Sequence, residues 1–447
     1  MLRTVENVIC PGCGCVCDDV TLQIEQNRIV EFQPRCALGE AWFSHHQAAS
    51  PPKPAAGDLM PPELAIDRAA ELLTEAHYPL IYGLSRSVTA GQRAAVALGE
   101  TVGGVVDSTA SLCHGPSIMA LQEVGEITST LGEIRNRADL VIFWGCDPGS
   151  SHPRHTERYS VFPIGRFTRA GRADRKIVMI GDENLVHQWR LNSDNDEPDL
   201  VIPTQPGTDF EILSQLRALI HGSIAVDLPP VFHQLMDLIR QCRYGVVFFG
   251  LGLAKTSMWD SGPATDTGHH DVAALLKLVA ELNQITRFTA RRMRLQGDVS
   301  GADNVLSWQT GYPFGVDFSR GYPRYNPGEY SASELLERGE VDACLLLGAE
   351  TVQYFPEAAR EHLGRIPTIL IDYPNAECPL TPTIRIDTAV YGIHAPGTIY
   401  RMDNVPMSLQ SVLETDLPTD EWVLNEIQRR CPQVPLSGGA IRDQSSF

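Results

Sequence analysis

Six short, almost unbroken apolar runs, each closing on glycine or aspartate, constrain the fold of this 447-residue chain more than anything else in it. They lie at 79–83, 140–145, 176–181, 244–250, 343–348 and 368–372. A strand with one wet face alternates apolar and polar residues. A strand covered on both faces does not, so these runs predict parallel sheets sandwiched between helices. Amphipathic helical stretches at 63–76 and 271–283 supply such covers. Six strands spread over about 300 residues predict an α/β protein with two doubly wound parallel-sheet domains. In such sheets ligands bind beyond the carboxyl ends of the strands, where the strand order reverses. The proline-rich stretch 51–62 reads as a stiff linker. The expected organisation is a small module at 1–50, the linker at 51–62, one α/β domain from 63–130 with 285–410, a second α/β domain at 131–284, and a C-terminal tail region at 411–447.

The small module holds Cys10, Cys13, Cys17 and Cys36, with two, three and eighteen residues between them. Four soft thiolates suit either an iron–sulfur cluster or zinc. A structural zinc site more often uses two separated Cys-x-x-Cys pairs, and a single knuckle followed by a three-residue gap favours a [4Fe–4S] cluster. Cys15, inside the knuckle, reads as a bystander. The chain has eleven cysteines and opens without the apolar core of a secretion signal, so reduced thiols in a cytoplasmic protein are expected. A formal net charge of −19 argues against a nucleic-acid groove or an anionic membrane as partner. No apolar run is long enough to span a bilayer.

Candidate chemistry clusters around the strand ends. Cys113-His114 precedes Gly115-Pro116, and Ser117 is placed to cap a helix starting near Ile118. A cysteine near a helix N-terminus suits a metal ligand or a nucleophile, against the plain alternative of a buried inert thiol. Gly145 and Asp147 follow one apolar run, and Gly250 and Gly252 follow another, where glycines let backbone approach a phosphate closely. His152 and His155 are able to bind metal, but such loop histidines are more often hydrogen-bonded. The segment 291–328, rich in glycine, proline and aromatics, reads as a long ordered loop and not as a helix. Its Arg294, Arg320 and Arg324 are candidates to hold an anion, the alternative being surface ion pairs.

Taken in order, the knuckle, Cys113-His114-Gly115-Pro116-Ser117, 121–125, 136–139, 144–148, 248–252, Met293-Arg294, 308–313, 323–329 and 397–402 resemble the B subunit of formylmethanofuran dehydrogenase, a family of tungsten- or molybdenum-containing molybdopterin oxidoreductases. The resemblance covers nearly the whole chain. It implies a [4Fe–4S] cluster on Cys10, Cys13, Cys17 and Cys36, and a tungsten- or molybdenum-bis-pterin guanine dinucleotide whose metal is bound by Cys113. It further implies that His114 and Arg294 position the substrate carboxylate and handle its proton, with Gly145, Asp147, Gly250 and Gly252 along the cofactor. The implied reaction interconverts CO2 and formate, with amidohydrolase-like A, C and D subunits as partners and the C1 carrier handled by them. In bacteria with tetrahydromethanopterin-linked C1 pathways, the implied direction is formate release.

The sequence departs from that pattern in three places. Gly181-Asp182-Glu183-Asn184 stands where the family has an arginine turn, and its acidic residues would repel phosphates. Gln296 stands where a second pocket histidine is usual. No C-terminal β-barrel is recognisable, which makes a partner chain mandatory. The first departure motivates an alternative reading: a non-redox scaffold of a formyltransferase/hydrolase complex that has lost the pterin.

Overall fold

The computed structural model describes residues 2–47, 60–191, 196–222, 228–254, 268–294 and 297–432. Their strands fall into four sheets. The first is an antiparallel sheet of β1 (Arg3–Cys10), β2 (Cys17–Glu25) and β3 (Arg28–Gln33). Cys10 and Cys17 are register partners at the end of β1 and β2, so the knuckle is the loop of a hairpin. Cys36 then caps the helix Ala37–His45, its sulfur accepting from Gly39 N–H at 3.4 Å.

β4 (Pro79–Gly83) and β5 (Val105–Ser108) start the largest sheet, and the chain then leaves it. β6 (Leu140–Trp144), β7 (Lys176–Asp182), β8 (Leu200–Thr204), β9 (Tyr244–Phe249) and β10 (Arg287–Arg292) form an all-parallel sheet in the order β10-β9-β6-β7-β8. The chain returns through β11 (Val316–Asp317), β12 (Arg324–Tyr325), β13 (Ala343–Leu347), β14 (Thr368–Asp372) and β15 (Ile384–Asp387). These complete the order β12-β11-β5-β4-β13-β14-β15, parallel except where β11 pairs antiparallel with β12 and β5. A small ribbon of β16 (Gly397–Tyr400) and β17 (Pro406–Leu409) follows.

All six apolar runs are strands. The helical stretches appear as Pro62–Glu75 and Gly268–Leu282. Helices cover both faces, and separate apolar clusters fill the two sides of each large sheet. The N-terminal module shares one apolar cluster with the five-stranded sheet, which includes Cys10, Cys13 and Cys17 as well as Phe143, Phe248 and Met293. No helix among the described residues is long and apolar enough to cross a membrane.

Three expectations need correction or redrawing. β10, expected with the domain that resumes at 285, pairs with β9 from Arg287↔Tyr244 to Arg292↔Phe249 and belongs to the five-stranded sheet. Its arginines hid it from an apolar reading. Arg291 is buried because backbone carbonyls take its protons, those of Met402 at 3.1 Å and Ser129 at 2.7 Å. The expected loop at 291–328 contains a helix, Val299–Thr310, started by Asp298 accepting from Gly301 N–H and stopped by left-handed Gly311 (φ 87°). The region from 411 contains the helix Asp420–Arg430, whose Val423, Leu424 and Ile427 enter the core of the seven-stranded sheet. Residues 51–59 of the expected linker, 433–447 of the expected tail, and Gln296 lie outside the described residues.

Asp298 ties this architecture together. It also accepts from Tyr400 N–H of β16 at 2.8 Å and from the Gln92 amide at 3.3 Å. Burial pushes its carboxyl up to about 7 against the pull of those donors. A raised carboxyl favours the protonated fold, so this contribution is complete below about pH 4 and is lost as pH rises through about 7. The thermal midpoint of the wild type is expected to fall more steeply between about pH 5 and about pH 8 than that of Asp298→Asn, whose amide does not titrate. Equal slopes would show that Asp298 carries no proton in this range.

Candidate active site

In the five-stranded sheet the strand order reverses between β6 and β9, and the loops leaving those strands meet there. Gly252 N–H donates to Gly145 O at 3.0 Å, and Gly250 N–H to Trp144 O at 3.2 Å. Gly145 has φ 61°, and a Cβ on it would lie 2.6 Å from Leu253 N, so this contact requires glycine. Asp147 caps the helix Pro148–Ser151, accepting from Gly149 N–H at 3.0 Å and from Arg190 N–H at 3.3 Å.

Cys113 and His114 arrive from the other sheet, on the turn after β5. Gly115 opens the helix Gly115–Val124 with His114 as its N-cap residue. Ser117 therefore lies inside the first turn and is not the cap, because Gly115-Pro116 starts the helix instead of breaking the chain before it. The His114 side chain is free to turn away, and its Nε2 meets Asp303 Oδ2 at 2.7 Å. The same carboxylate accepts from Arg294 Nη1 at 2.8 Å, and that nitrogen also donates to Ser300 Oγ at 2.8 Å. All four side chains are buried.

The electrostatics follow from that burial. Desolvation pushes Asp303 upward, but His114 and Arg294 outweigh it and hold the carboxyl below its usual range. Desolvation lowers His114 despite Asp303, so the ring is neutral near pH 7. Burial pushes the Cys113 thiol up to about 12, against Arg294. Cys113, His114, Phe249, Gly250, Arg292 and Arg294 line a narrow cavity of about 10 Å3. Around it His114 Nδ1, Arg294 Nε, Arg292 Nη1 and Asp303 Oδ1 are buried without a hydrogen-bond partner. Buried polar atoms are normally paired, so four of them around one cavity make it a candidate site for water or a polar ligand.

The knuckle adjoins this cavity. A Cβ on Gly14 would lie 2.5 Å from Arg294 O and 3.2 Å from His152 Nε2, so only glycine lets the hairpin loop reach the Arg294 backbone. Cys10 and Cys36 face each other across Gly39, whose missing Cβ would lie 3.4 and 3.3 Å from their sulfurs. Burial raises Cys10 and Cys36, and pushes Cys17 up to about 12. Cys13 is lowered, mainly by its hydrogen bond with the Cys15 thiol. Arg154 stands close enough to pull Cys13, Cys17 and Cys36 toward the thiolate. Its guanidinium is fixed bidentately on Asp19 at 2.8 and 2.7 Å. Among the described residues, no three His, Cys, Asp or Glu side chains converge tightly enough for a single metal ion.

No protein-family model matches the chain. The B subunit of tungsten-containing formylmethanofuran dehydrogenase 2 from Methanocaldococcus jannaschii is 39% identical to it over 428 residues, 93% of this chain and 95% of that protein. The chain belongs to the family of formylmethanofuran dehydrogenase B subunits. The Methanococcus maripaludis protein of the same name is 36% identical over 92% of this chain and 95% of its own length. The B subunit of the formyltransferase/hydrolase complex from Methylorubrum extorquens is 26% identical over 64% of this chain and 72% of that protein. In fold, the chain is similar to a chain of the crystal structure of that complex with methylofuran, with a TM-score of 0.67 at 24% identity over 86% of this chain and 98% of that chain.

The remaining candidates in this member of the family are scattered. His152 Nε2–H donates to Arg294 O, and His155 Nδ1 bonds Ser160 Oγ at 3.0 Å, so both are buried hydrogen-bonding groups. Arg324 pairs with Asp317 away from the cavity, and Arg320 is exposed. Asp182 closes its own turn by accepting from Asn184 N–H at 2.8 Å. A second cavity, of about 70 Å3, lies where the seven-stranded sheet reverses between β4 and β13, lined among others by Trp42, His46, Arg86 and Tyr373. Trp42 Nε1 and His46 Nδ1 there have no partner.

Asp303, Ser300, Arg292 and Glu126 were missed from sequence, the first two because their helix reads as loop. The signal was present in Asp298-x-x-Gly301, an N-cap followed by a run that ends on Gly311. Removing a buried carboxylate that holds two groups leaves a charge without its counter-ion. Asp303→Ala is expected to cost about 3–5 kcal/mol, with part of the loss recovered in Asp303→Asn, as read from urea unfolding midpoints. An alanine variant with the wild-type midpoint would remove Asp303 from this role.

Proposed function

We propose that this chain is the redox-active member of a formylmethanofuran dehydrogenase-type complex in C1 metabolism. It interconverts CO2 and formate at a tungsten or molybdenum carried by two pterin guanine dinucleotides, with a [4Fe–4S] cluster as electron relay. The observation that carries this reading is the contact of Gly14 with the Arg294 carbonyl, which sets the four-cysteine module directly against the cavity of Cys113, His114 and Arg294.

The residues present fit the implied groups. Cys10 lies close enough to Cys13, Cys17 and Cys36 for each to raise its thiol, and Arg154 supplies a nearby positive charge, a thiol-rich setting of the kind a cluster uses. The unpartnered polar atoms around Cys113 fit a polar ligand bound beside that residue. Both large sheets offer reversal points, with Gly145, Asp147, Gly250 and Gly252 at one and the Trp42–His46 cavity at the other. Two such crevices suit two nucleotide arms.

When bound, the metal–pterin group supplies the two-electron chemistry by which formate gives CO2, a proton and two electrons. Cys113, whose thiol burial pushes up to about 12, would hold the metal as its thiolate. Arg294, anchored on Asp303 and Ser300, presents Nε–H to the cavity and orients the carboxylate. His114, held neutral with its Nε2–H on Asp303, offers Nδ1 as the acceptor of the substrate proton. The buried setting strengthens each of these interactions by excluding water. The relatives are named as B subunits, and the reading extends their assembly to this chain: amidohydrolase-like A, C and D partners handle the C1 carrier in the cytoplasm. Asp182, on its own turn at the end of β7, favours the alternative of a pterin-free scaffold.

Metal analysis of the anaerobically purified complex separates the two readings. About four irons and one tungsten or molybdenum per chain are expected, with Cys113→Ala abolishing formate oxidation. Iron without either heavy metal would establish the scaffold, and zinc alone would overturn the reading of the four cysteines.

A further inference from the structure

Arg294 is not the only guanidinium in the cavity. Arg292, the last residue of β10 and the register partner of Phe249, is 6% exposed and lines the same wall. Its Nη2 donates to Glu126 Oε2 at 3.1 Å, and both side chains are buried. Glu126 comes from the turn that ends the helix whose start carries Cys113 and His114. Cys113 thus precedes the helix at one end, and Glu126, which anchors Arg292, follows it at the other.

The two arginines are spent differently. Arg294 Nη1 already makes two hydrogen bonds, to Ser300 and Asp303. Arg292 Nη2 makes one, and its Nη1 is buried with no partner. A buried N–H group of a cation is costly to leave unpaired, and a small oxyanion is the ligand that satisfies it best. We propose that Arg292 is a second anion-binding residue of this cavity, fixed by Glu126, which takes one oxygen of a planar monocarboxylate such as formate.

The charges fit such a ligand. Each guanidinium has its own carboxylate, Arg292 with Glu126 and Arg294 with Asp303. An anion is therefore held here by directed N–H groups and not by an excess of positive charge. Neutral CO2 accepts such bonds poorly, so the same donors bind formate and let CO2 go.

This inference rests on the reading of the cavity as a formate site, and the test keeps the two apart. Equilibrium dialysis of labelled formate against the anaerobically purified complex, without any electron acceptor, reads binding independently of turnover. Arg292→Gln is expected to raise the Kd for formate by about 10- to 100-fold, as for the loss of one charge-assisted hydrogen bond. Arg292→Lys, which keeps the charge and part of the bulk, is expected to fall between the two and serves if the glutamine variant does not assemble. Unchanged affinity in a correctly assembled variant overturns the role of Arg292 alone. A wild-type complex that binds no formate overturns the formate site itself, and this inference with it.

Discussion

The buried carboxylate of Asp303 is the interaction on which the candidate site depends. It accepts from His114 on one side and from Arg294 on the other, and these come from different parts of the fold. His114 follows β5 of the seven-stranded sheet, and Arg294 follows β10 of the five-stranded sheet. Asp303 itself sits on a helix between β10 and β11. An ion pair out of water is stable only when its geometry is good and its remaining lone pairs are met. Here the Asp303 Oδ1 lone pairs are unmet, as are nitrogens on both neighbours. The group is thus fixed at its centre, with an unpaired polar atom left on each of its three members.

Glycines do the complementary work at the loops. Gly145 and Gly14 are both places where a Cβ would collide with backbone, at 2.6 and 2.5 Å. The first joins the two loops at the strand reversal. The second joins the cysteine hairpin to the Arg294 strand end. Neither contact involves side-chain chemistry, yet both set the distance between groups that have it.

Much of the scaffold was legible in the sequence because sandwiched parallel strands leave an unmistakable trace: short apolar runs with almost nothing polar inside them. The cysteine spacing, Cys113-His114 and Arg294 were legible for a different reason, since they carry a family pattern. What was hidden shares a physical cause. β10 reads Arg287-Phe-Thr-Ala-Arg-Arg292, and its buried arginines imitate a surface segment. The helix Val299–Thr310 holds glycine, serine and asparagine, poor helix formers that reveal it only through its caps. Asp303, Arg292 and Glu126 lie on or beside such disguised elements. Buried charge is visible only when its partner is known, and the partner is set by the fold.

The packing of Gly14 on the Arg294 carbonyl couples two parts of the chain that are remote in sequence. The hairpin loop forms one wall of the Arg294 surroundings, and the His152 ring is set against the same carbonyl. A side chain at position 14 would push the hairpin off that carbonyl and disturb both neighbours together. The shape of the cysteine hairpin and the shape of the larger cavity are therefore linked by backbone contact, before any chemistry of the thiols is considered.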